Sequence, residues 1–197
     1  MRKQMLSKAK AGLATVMAGG LLTLGAGMGT AHATPTGEAF AQQARAAHLT
    51  QTQNKSLRSE VDRYLKATGG RQVALNEIDL GGKGKVLVAI PGEAHPRDFA
   101  SGAGMRPAYD PCLQGSLYNG YFCAYSQADY QGSEQQMYYC QSYAMNFGRG
   151  GSWINNQTQG RQARMYGKYG DLLYTTPGAY SSDSNGDWYY VWSVRPC

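Results

Sequence analysis

Three of the four cysteines lie in one tyrosine-rich segment, residues 112–140, and the fourth is Cys197. All three tryptophans and fourteen of the fifteen tyrosines also follow residue 100, where aliphatic side chains are scarce. A domain of this size buries only about 60–65% of the surface that its unfolded chain exposes, so covalent cross-links are expected. The sequence therefore predicts a small domain with an aromatic core, held together by disulfides.

Four cysteines allow three disulfide pairings, and the sequence leaves them open. We favour Cys112–Cys123, which closes a short loop, together with Cys140–Cys197, which ties residue 197 to the middle of the domain. The alternative is a thiolate or zinc site. It is disfavoured because no histidine follows residue 95 and no CxxC spacing occurs.

Residues 1–33 have the organisation of a secretory signal peptide. Basic residues at the start are followed by an apolar run that ends near Met28, and Ala31-His-Ala33 supplies a small-x-small cleavage pattern. The alternative is a membrane anchor, but the run is barely long enough to span a bilayer and no basic residues follow it directly. We expect cleavage after Ala33, a secreted extracellular protein, and no membrane association once the signal is removed.

The segment 34–100 differs in composition, with no cysteine or tryptophan and a single tyrosine. A helix is predicted from Ser56, because apolar residues recur at helical spacing from Leu57 until Gly69-Gly70 ends it. Two strands, 73–80 and 85–90, are predicted to form a hairpin around four residues that include three glycines.

Helix plus hairpin is too small to bury much core alone. We therefore interpret 34–100 as a pro-like segment that assists folding or silences the protein, followed by a linker over residues 92–111. Cleavage would occur near residues 97–105. The alternative is that the segment stays on the mature protein.

The basic character belongs to the whole chain and not to the domain. The formal net charge is +6, but the predicted signal peptide contributes four basic and no acidic residues. Residues 101–197 contain six basic and six acidic residues. The near-neutral domain argues against a nucleic-acid partner.

Residues 101–197 are predicted to be all-β, because short aromatic or β-branched runs alternate with glycine, asparagine and serine. The last run, Trp188–Val194, places Trp188, Tyr190, Trp192 and Val194 on one face, and we expect it to be paired on both sides. The alternation of short strands with turn residues is typical of a sandwich or barrel. The other predicted strands are Tyr118–Tyr125, Gln136–Cys140, Trp153–Ile154, Gln162–Tyr166 and Leu172–Tyr174.

An aromatic–glycine signature lies at the centre of the cysteine-rich segment: Tyr125, Tyr130 and Gly132. With the preceding signal-like and pro-like segments, Cys123-Ala-Tyr125 and Ser152-Trp-Ile-Asn-Asn156, it resembles secreted bacterial peptidase inhibitors of the Streptomyces metalloproteinase inhibitor type. The resemblance covers about residues 109–197.

The resemblance implies a βγ-crystallin-like Greek-key sandwich, stapled by two disulfides and preceded by the small α+β pro-like segment. It also implies a monomeric, non-catalytic protein that blocks the active-site cleft of an extracellular protease, here a metalloprotease, through a surface loop. The alternative is an extracellular binding module of the same fold that does not inhibit and that binds calcium, glycan or protein.

No histidine lies in the domain, which excludes Ser-His and Cys-His nucleophile pairs. The remaining catalytic route is a carboxylate pair, with Glu134 and Asp129 as the candidates for a small hydrolase. Both flank the signature hairpin, where polar residues are ordinary. We therefore predict no enzyme activity and no catalytic residue.

Two groups of oxygen-bearing side chains could bind calcium: Asn155 with Asn156, and Asp183 with Asp187. The first pair lacks the hydroxyl pair that closes a crystallin-like calcium site, and the second lacks the glycine and glutamate of an EF-hand-type loop. Turn formation explains both equally well. No cofactor is predicted, and calcium is the single ligand that these patterns allow.

A glycine-rich loop, residues 146–151, is the candidate partner contact. Phe147 and Arg149 are expected to project from it. Exposed tyrosines would add contact area, because tyrosine loses little conformational entropy on binding. The alternative is a simple long turn between two halves of the domain.

Overall fold

A computed structural model describes residues 37–102 and 104–197. The predicted signal peptide, residues 1–33, and its cleavage after Ala33 lie outside these residues. Within the described ranges, no helix combines the length and the apolar character that crossing a bilayer would require.

Two helices open the described chain, α1 (Gly37–Ala46) and α2 (Gln51–Thr68). Helix α2 begins five residues before the predicted start, because Thr50 and Gln53 form a reciprocal capping box. Its buried face contains Leu57, Val61 and Tyr64, as the helical spacing predicted. It ends at Gly69, which adopts the left-handed conformation with φ 67°.

Seven antiparallel strands form the larger sheet, in the order β1-β2-β3-β5-β4-β7-β10. The predicted 73–80 strand is interrupted by a turn, so that it forms two strands. The bounds are β1 Arg71–Ala74, β2 Glu77–Asp79, β3 Gly84–Leu87, β4 Tyr121–Gln127, β5 Gln131–Met137, β7 Ser152–Asn156 and β10 Ser181–Asp183.

Strand β3 of the pro-like segment pairs directly with β5 of the cysteine-rich domain, from Gly84 opposite Met137 to Leu87 opposite Glu134. Gly84 permits this close approach, because a Cβ at that position would lie 2.2 Å from the carbonyl oxygen of Gln136. The described residues, 37–102 and 104–197, consequently form one compact unit. Cleavage of the segment stays a prediction.

The stretch predicted to be a linker contains a local ladder. The backbone N–H of Asp98 donates to the Arg106 carbonyl, and that of Ala108 donates to the Pro96 carbonyl. Phe99 is buried in the main core. This stretch therefore packs against the rest of the fold.

The smaller sheet has the antiparallel order β6-β11-β8-β9. Strand β11 pairs on both sides, as expected, but it covers only the end of the predicted Trp188–Val194 strand. The bounds are β6 Tyr143–Ala144, β8 Arg164–Tyr166, β9 Leu172–Thr175 and β11 Ser193–Arg195.

The prediction that Trp188, Tyr190, Trp192 and Val194 share one face is wrong. Trp188 and Val194 are buried, whereas Tyr190 and Trp192 are exposed. A turn replaces the strand, since the Val191 N–H donates to the Trp188 carbonyl over 3.0 Å. The Trp188 indole N–H donates instead to the Tyr125 carbonyl, 2.8 Å away, which fixes this turn on β4.

The two disulfides are Cys112–Cys123 and Cys140–Cys197, the pairing that the sequence favours. One main aromatic and aliphatic core extends from α2 to both sheets, and a small second core surrounds the buried Cys112–Cys123 bridge. The described residues thus form a mostly β-sheet structure with two helices and two disulfides, in agreement with the predicted all-β class of the domain.

Candidate functional site

The aromatic–glycine signature forms the β4–β5 hairpin. Tyr125 is buried and its ring meets that of Tyr130 edge-on, with centroids 5.7 Å apart. Gly132 has φ 81°, and a Cβ there would lie 2.2 Å from the Ser126 Oγ. Burial, followed by the negative charges of Glu134 and Asp110, raises the pKa of Tyr125 far above its usual range. These residues are scaffold, and the neutral Tyr125 hydroxyl is a hydrogen-bond donor.

Of the two residues predicted to project from loop 146–151, Arg149 does so and Phe147 does not. Phe147 does not project, because its side chain is 6% exposed. Its ring packs edge-on against the rings of Tyr64 and Trp188, with centroid separations of 5.7 Å and 6.2 Å. Arg149 is exposed, and its guanidinium lies 4.0 Å above the ring of Tyr189. Of the two predicted contacts, only Arg149 is available to a partner.

The loop is fixed at both ends. The Gly150 N–H donates to Asp187 Oδ1 over 3.0 Å, and the guanidinium of Arg63 donates to the Asn146 carbonyl. A Cβ on Gly151 would lie 2.2 Å from the Trp188 ring, so only glycine fits beneath the loop. Arg149 is therefore presented by a rigid support.

Beside this loop lies a groove of about 360 Å³, which we call the aromatic groove. Its floor contains buried Trp153 and Trp188, and its walls include Tyr174 of β9 and Tyr190, which are 45% and 69% exposed. The ring of Tyr190 meets that of Tyr189 edge-on, with centroids 4.7 Å apart. Since Arg149 lies above the Tyr189 ring, this pair connects the groove to Arg149. Tryptophan, tyrosine and arginine are the residues most enriched in the energetic centres of protein interfaces.

Strand β9 is an edge of the smaller sheet, and it contains no charged residue. Leu172, Leu173 and Tyr174 are all more than 40% exposed. An exposed apolar edge invites pairing with another chain unless it is blocked. This exposed apolar edge continues the aromatic groove on one side, where Leu173 and Tyr174 line it.

The predicted calcium residues all have other partners. The Asn155 amide donates to the Arg161 and Pro177 carbonyls. Asn156 accepts from the Tyr118 N–H, and Asp183 accepts from the Asn185 N–H. These are bonds that shape loops and turns, and the calcium prediction for these residues remains untested.

The two predicted carboxylates do not face a common cleft. Asp129 is exposed in the β4–β5 turn, where its N–H donates to the Ser184 carbonyl, whereas Glu134 is 2% exposed within β5. Glu134 instead lines a small cavity with Asp110, which the sequence analysis did not single out. The Asp-Pro-Cys sequence at 110–112 indicates a turn, but no local pattern relates it to residue 134.

Burial is the largest cause that raises the pKa of Glu134 well above its usual range, and the negative charge of Asp110 is the next. A hydrogen bond from Gln136 and the charge of Lys85 oppose this rise. The Glu134 carboxyl is therefore neutral under conditions in which an exposed glutamate is ionised.

Residues 106–171 match the family model described as peptidase inhibitor family I36, which confirms the resemblance. The matched span is about one third of the chain and contains the first disulfide, the signature hairpin and loop 146–151. No curated protein and no solved structure matches the chain.

Proposed function

We propose that this chain, with residues 106–171 matching peptidase inhibitor family I36, is an extracellular inhibitor that blocks the active-site cleft of a protease. The family match carries this proposal. It supports a protease as the partner, and the choice of a metalloprotease rests on the inhibitor type that the sequence resembles. The inhibitor acts by occlusion and needs no catalytic group.

We propose that the blocking surface consists of Arg149, Tyr189, Tyr190 and the rim of the aromatic groove. An occluding surface gains affinity when its residues are ordered before binding. The support of loop 146–151 by Phe147 and Gly150 supplies that order. The exposed tyrosines add contact area at small entropic cost.

For the fold, we infer that the cysteine-rich domain is a βγ-crystallin-like Greek-key structure. The geometry of Tyr125, Tyr130 and Gly132 supports this assignment, because the signature occupies a tight hairpin with an obligatory glycine. The two disulfides fit an extracellular location, and we propose that the predicted signal peptide delivers the chain there.

The test is a titration of the oxidised full-length chain against a panel of secreted metallo- and serine proteases. We expect stoichiometric inhibition of at least one metalloprotease. Absence of inhibition of every protease at micromolar concentration would overturn the proposal. Inhibition confined to serine proteases would retain inhibition and reject the proposed target class.

The proposed surface is tested separately with Arg149→Ala and Tyr190→Ala. Each is expected to weaken inhibition at least tenfold, as residues at the centre of an interface do. Tyr139→Ala is the matched control, since Tyr139 is 54% exposed but belongs to a cluster with Tyr138 outside the aromatic groove. Equal weakening by all three variants would exclude the proposed surface.

The aromatic groove also favours a second candidate function, a binding module that does not inhibit. Tyrosine walls beside Asp183 and Asp187 fit a glycan or a basic peptide as well as a protease. If the protease panel is negative, retention on immobilised polysaccharides that Tyr190→Ala abolishes would support this candidate.

A further inference from the structure

Two carboxyl groups line a small cavity that shares no lining residue with the aromatic groove. The cavity has a volume of about 150 Å³ and is lined by Asp110, Tyr125 and Glu134 among others. A water molecule takes about 30 Å³ of liquid volume, so the cavity has room for an ion with several waters.

Asp110 is held as a hydrogen-bond acceptor. Its Oδ1 accepts from the N–H groups of Cys112 (2.7 Å) and Leu113 (3.1 Å). Its Oδ2 accepts from the Tyr125 hydroxyl over 2.8 Å. Asp110 therefore acts as the acceptor of three hydrogen bonds at one wall of the cavity.

Glu134 has the opposite environment. Its side chain is almost fully buried, and no group among the described residues donates to Oε1. It lines the same cavity as Asp110. A buried carboxyl oxygen without a partner is unfavourable unless a donor or a cation reaches it from the cavity.

The available ligand atoms determine which cation fits. Carboxylate, phenol and amide oxygens line the cavity, the amide being that of Gln114, and oxygen ligands favour hard cations. Among the described residues, one group of three or more His, Cys, Asp or Glu side chains has its possible ligand atoms within 4.8 Å of one another. This group is Asp110 with Cys112 and Cys123. These two sulfurs are joined in a disulfide, so they offer no thiolate to a softer metal. His95 also lines the cavity, but it is a single nitrogen ligand and does not belong to the group of His, Cys, Asp and Glu atoms that converges at Asp110.

We infer that Asp110 and Glu134 together bind a calcium ion in this cavity, with water completing its coordination. Calcium displaces the proton of Glu134 into solvent, its double positive charge then offsets both carboxylates, and Glu134 Oε1 gains a partner. Calcium fits better than magnesium, because it accepts six to eight oxygens in a flexible geometry and magnesium demands a near-ideal octahedron. With only two charged ligands, we expect affinity in the range of extracellular modules, a dissociation constant of about 10⁻⁴–10⁻³ M.

Thermal unfolding of the oxidised full-length chain, with calcium in millimolar excess or with EDTA, tests the site. We expect calcium to raise Tm by about 4 °C and magnesium to raise it less. Glu134→Gln keeps the side-chain volume and removes the charge, so its Tm should not respond to calcium. Equilibrium dialysis should show one calcium per chain in the wild type and none in this variant.

Asp183→Asn is the matched control, because it removes an exposed carboxylate at the end of β10, outside this cavity. It should keep the full response to calcium. An unchanged wild-type Tm together with no calcium retained in dialysis would overturn the inference. So would a response that persists in Glu134→Gln, or one that Asp183→Asn abolishes, since calcium would then bind elsewhere.

Discussion

The ring of Tyr64 in α2 meets the ring of Phe147 edge-on, with centroids 5.7 Å apart. Next to this contact, the Arg63 guanidinium donates to the Asn146 carbonyl, and the Asn146 amide donates to the Arg63 carbonyl over 3.4 Å. The pro-like segment therefore supports the loop that presents Arg149. The segment therefore contributes to the proposed blocking surface indirectly, by holding loop 146–151 in place.

Replacing Tyr64 with alanine should weaken both stability and inhibition. The ring is 2% exposed, and removing a buried aromatic side chain lowers the free energy of unfolding by about 3 kcal/mol. Loop 146–151 would lose its support, so inhibition should weaken even at temperatures where the variant is folded. Denaturant titration and an inhibition assay measure the two effects.

The control for Tyr64→Ala is Tyr169→Ala, because Tyr169 is 89% exposed. It should leave the free energy of unfolding within about 0.5 kcal/mol of the wild type. A Tyr64→Ala variant that is destabilised but inhibits with unchanged affinity would show that the loop does not depend on α2.

Gly84→Ala tests the pairing of β3 with β5. The added Cβ would lie 2.2 Å from the Gln136 carbonyl, and backbone on both sides cannot yield without breaking the ladder. We expect a loss of about 1–3 kcal/mol in the free energy of unfolding, as for other overpacked sites. Hydrogen exchange should show faster exchange at the amides of β3 and β5.

Gly37→Ala is the matched control for this substitution, since nothing lies within 4 Å of a Cβ at that position. It should change the unfolding free energy by a few tenths of a kcal/mol at most. If Gly84→Ala were equally harmless, the β3–β5 register would be incorrect.

The raised pKa of Glu134 predicts a pH dependence of stability. The folded state keeps a proton that the unfolded state releases above its ordinary glutamate pKa, so the unfolding free energy falls as pH rises through this interval. The steepest slope for one group is about 1.4 kcal/mol per pH unit. The stabilisation is complete below the unfolded pKa and is lost as pH approaches the folded one.

Glu134→Gln cannot release this proton, so its unfolding free energy should depend less on pH and exceed that of the wild type at neutral pH. Denaturant titrations in EDTA at several pH values between about 4 and 8 measure this difference. Glu38→Gln, in the exposed first turn of α1, is the control and should follow the wild-type profile. Parallel profiles for wild type and Glu134→Gln would contradict the prediction.

The two disulfides should contribute different amounts to the free energy of unfolding. They close loops with sequence separations of 11 and 57 residues. In the chain-entropy model these loops correspond to about 3 and about 4 kcal/mol. Paired alanine substitutions at Cys112 and Cys123, and separately at Cys140 and Cys197, followed by denaturant titration, measure each value. A larger loss for the shorter loop would indicate that the packing around buried Cys123 outweighs chain entropy.

Local patterns predicted much of the fold. The helical face of α2 and the positions of β4 and β9 follow from spacing and composition, because these features depend on neighbours in sequence. The double pairing of β11 was expected because an exposed aromatic edge strand would aggregate, but the sequence did not identify its partners β6 and β8. The period-2 pattern around Trp188 failed, because one long-range hydrogen bond, from its indole N–H to Tyr125, favours a turn over a strand.

Contacts between distant parts of the chain had no sequence signal. Nothing in residues 84–87 indicates that they pair with residues 134–137, and nothing relates Asp110 to Glu134. Phe147 was expected to project because it lies in a glycine-rich loop, whereas its environment is set by Tyr64 and Trp188, far away in sequence. The positions that the sequence predicted as the structure has them are those fixed by local turns or by covalent bonds, such as the two disulfides.

The continuous larger sheet has a consequence for processing. If a protease cut the chain near residues 97–105, the four backbone-paired positions between β3 and β5 would still join the fragments. The product would be a nicked heterodimer, with two polypeptides on a denaturing gel and one particle in gel filtration. Release of the amino-terminal fragment would require unfolding, so the timing of proteolysis would not by itself set the onset of activity.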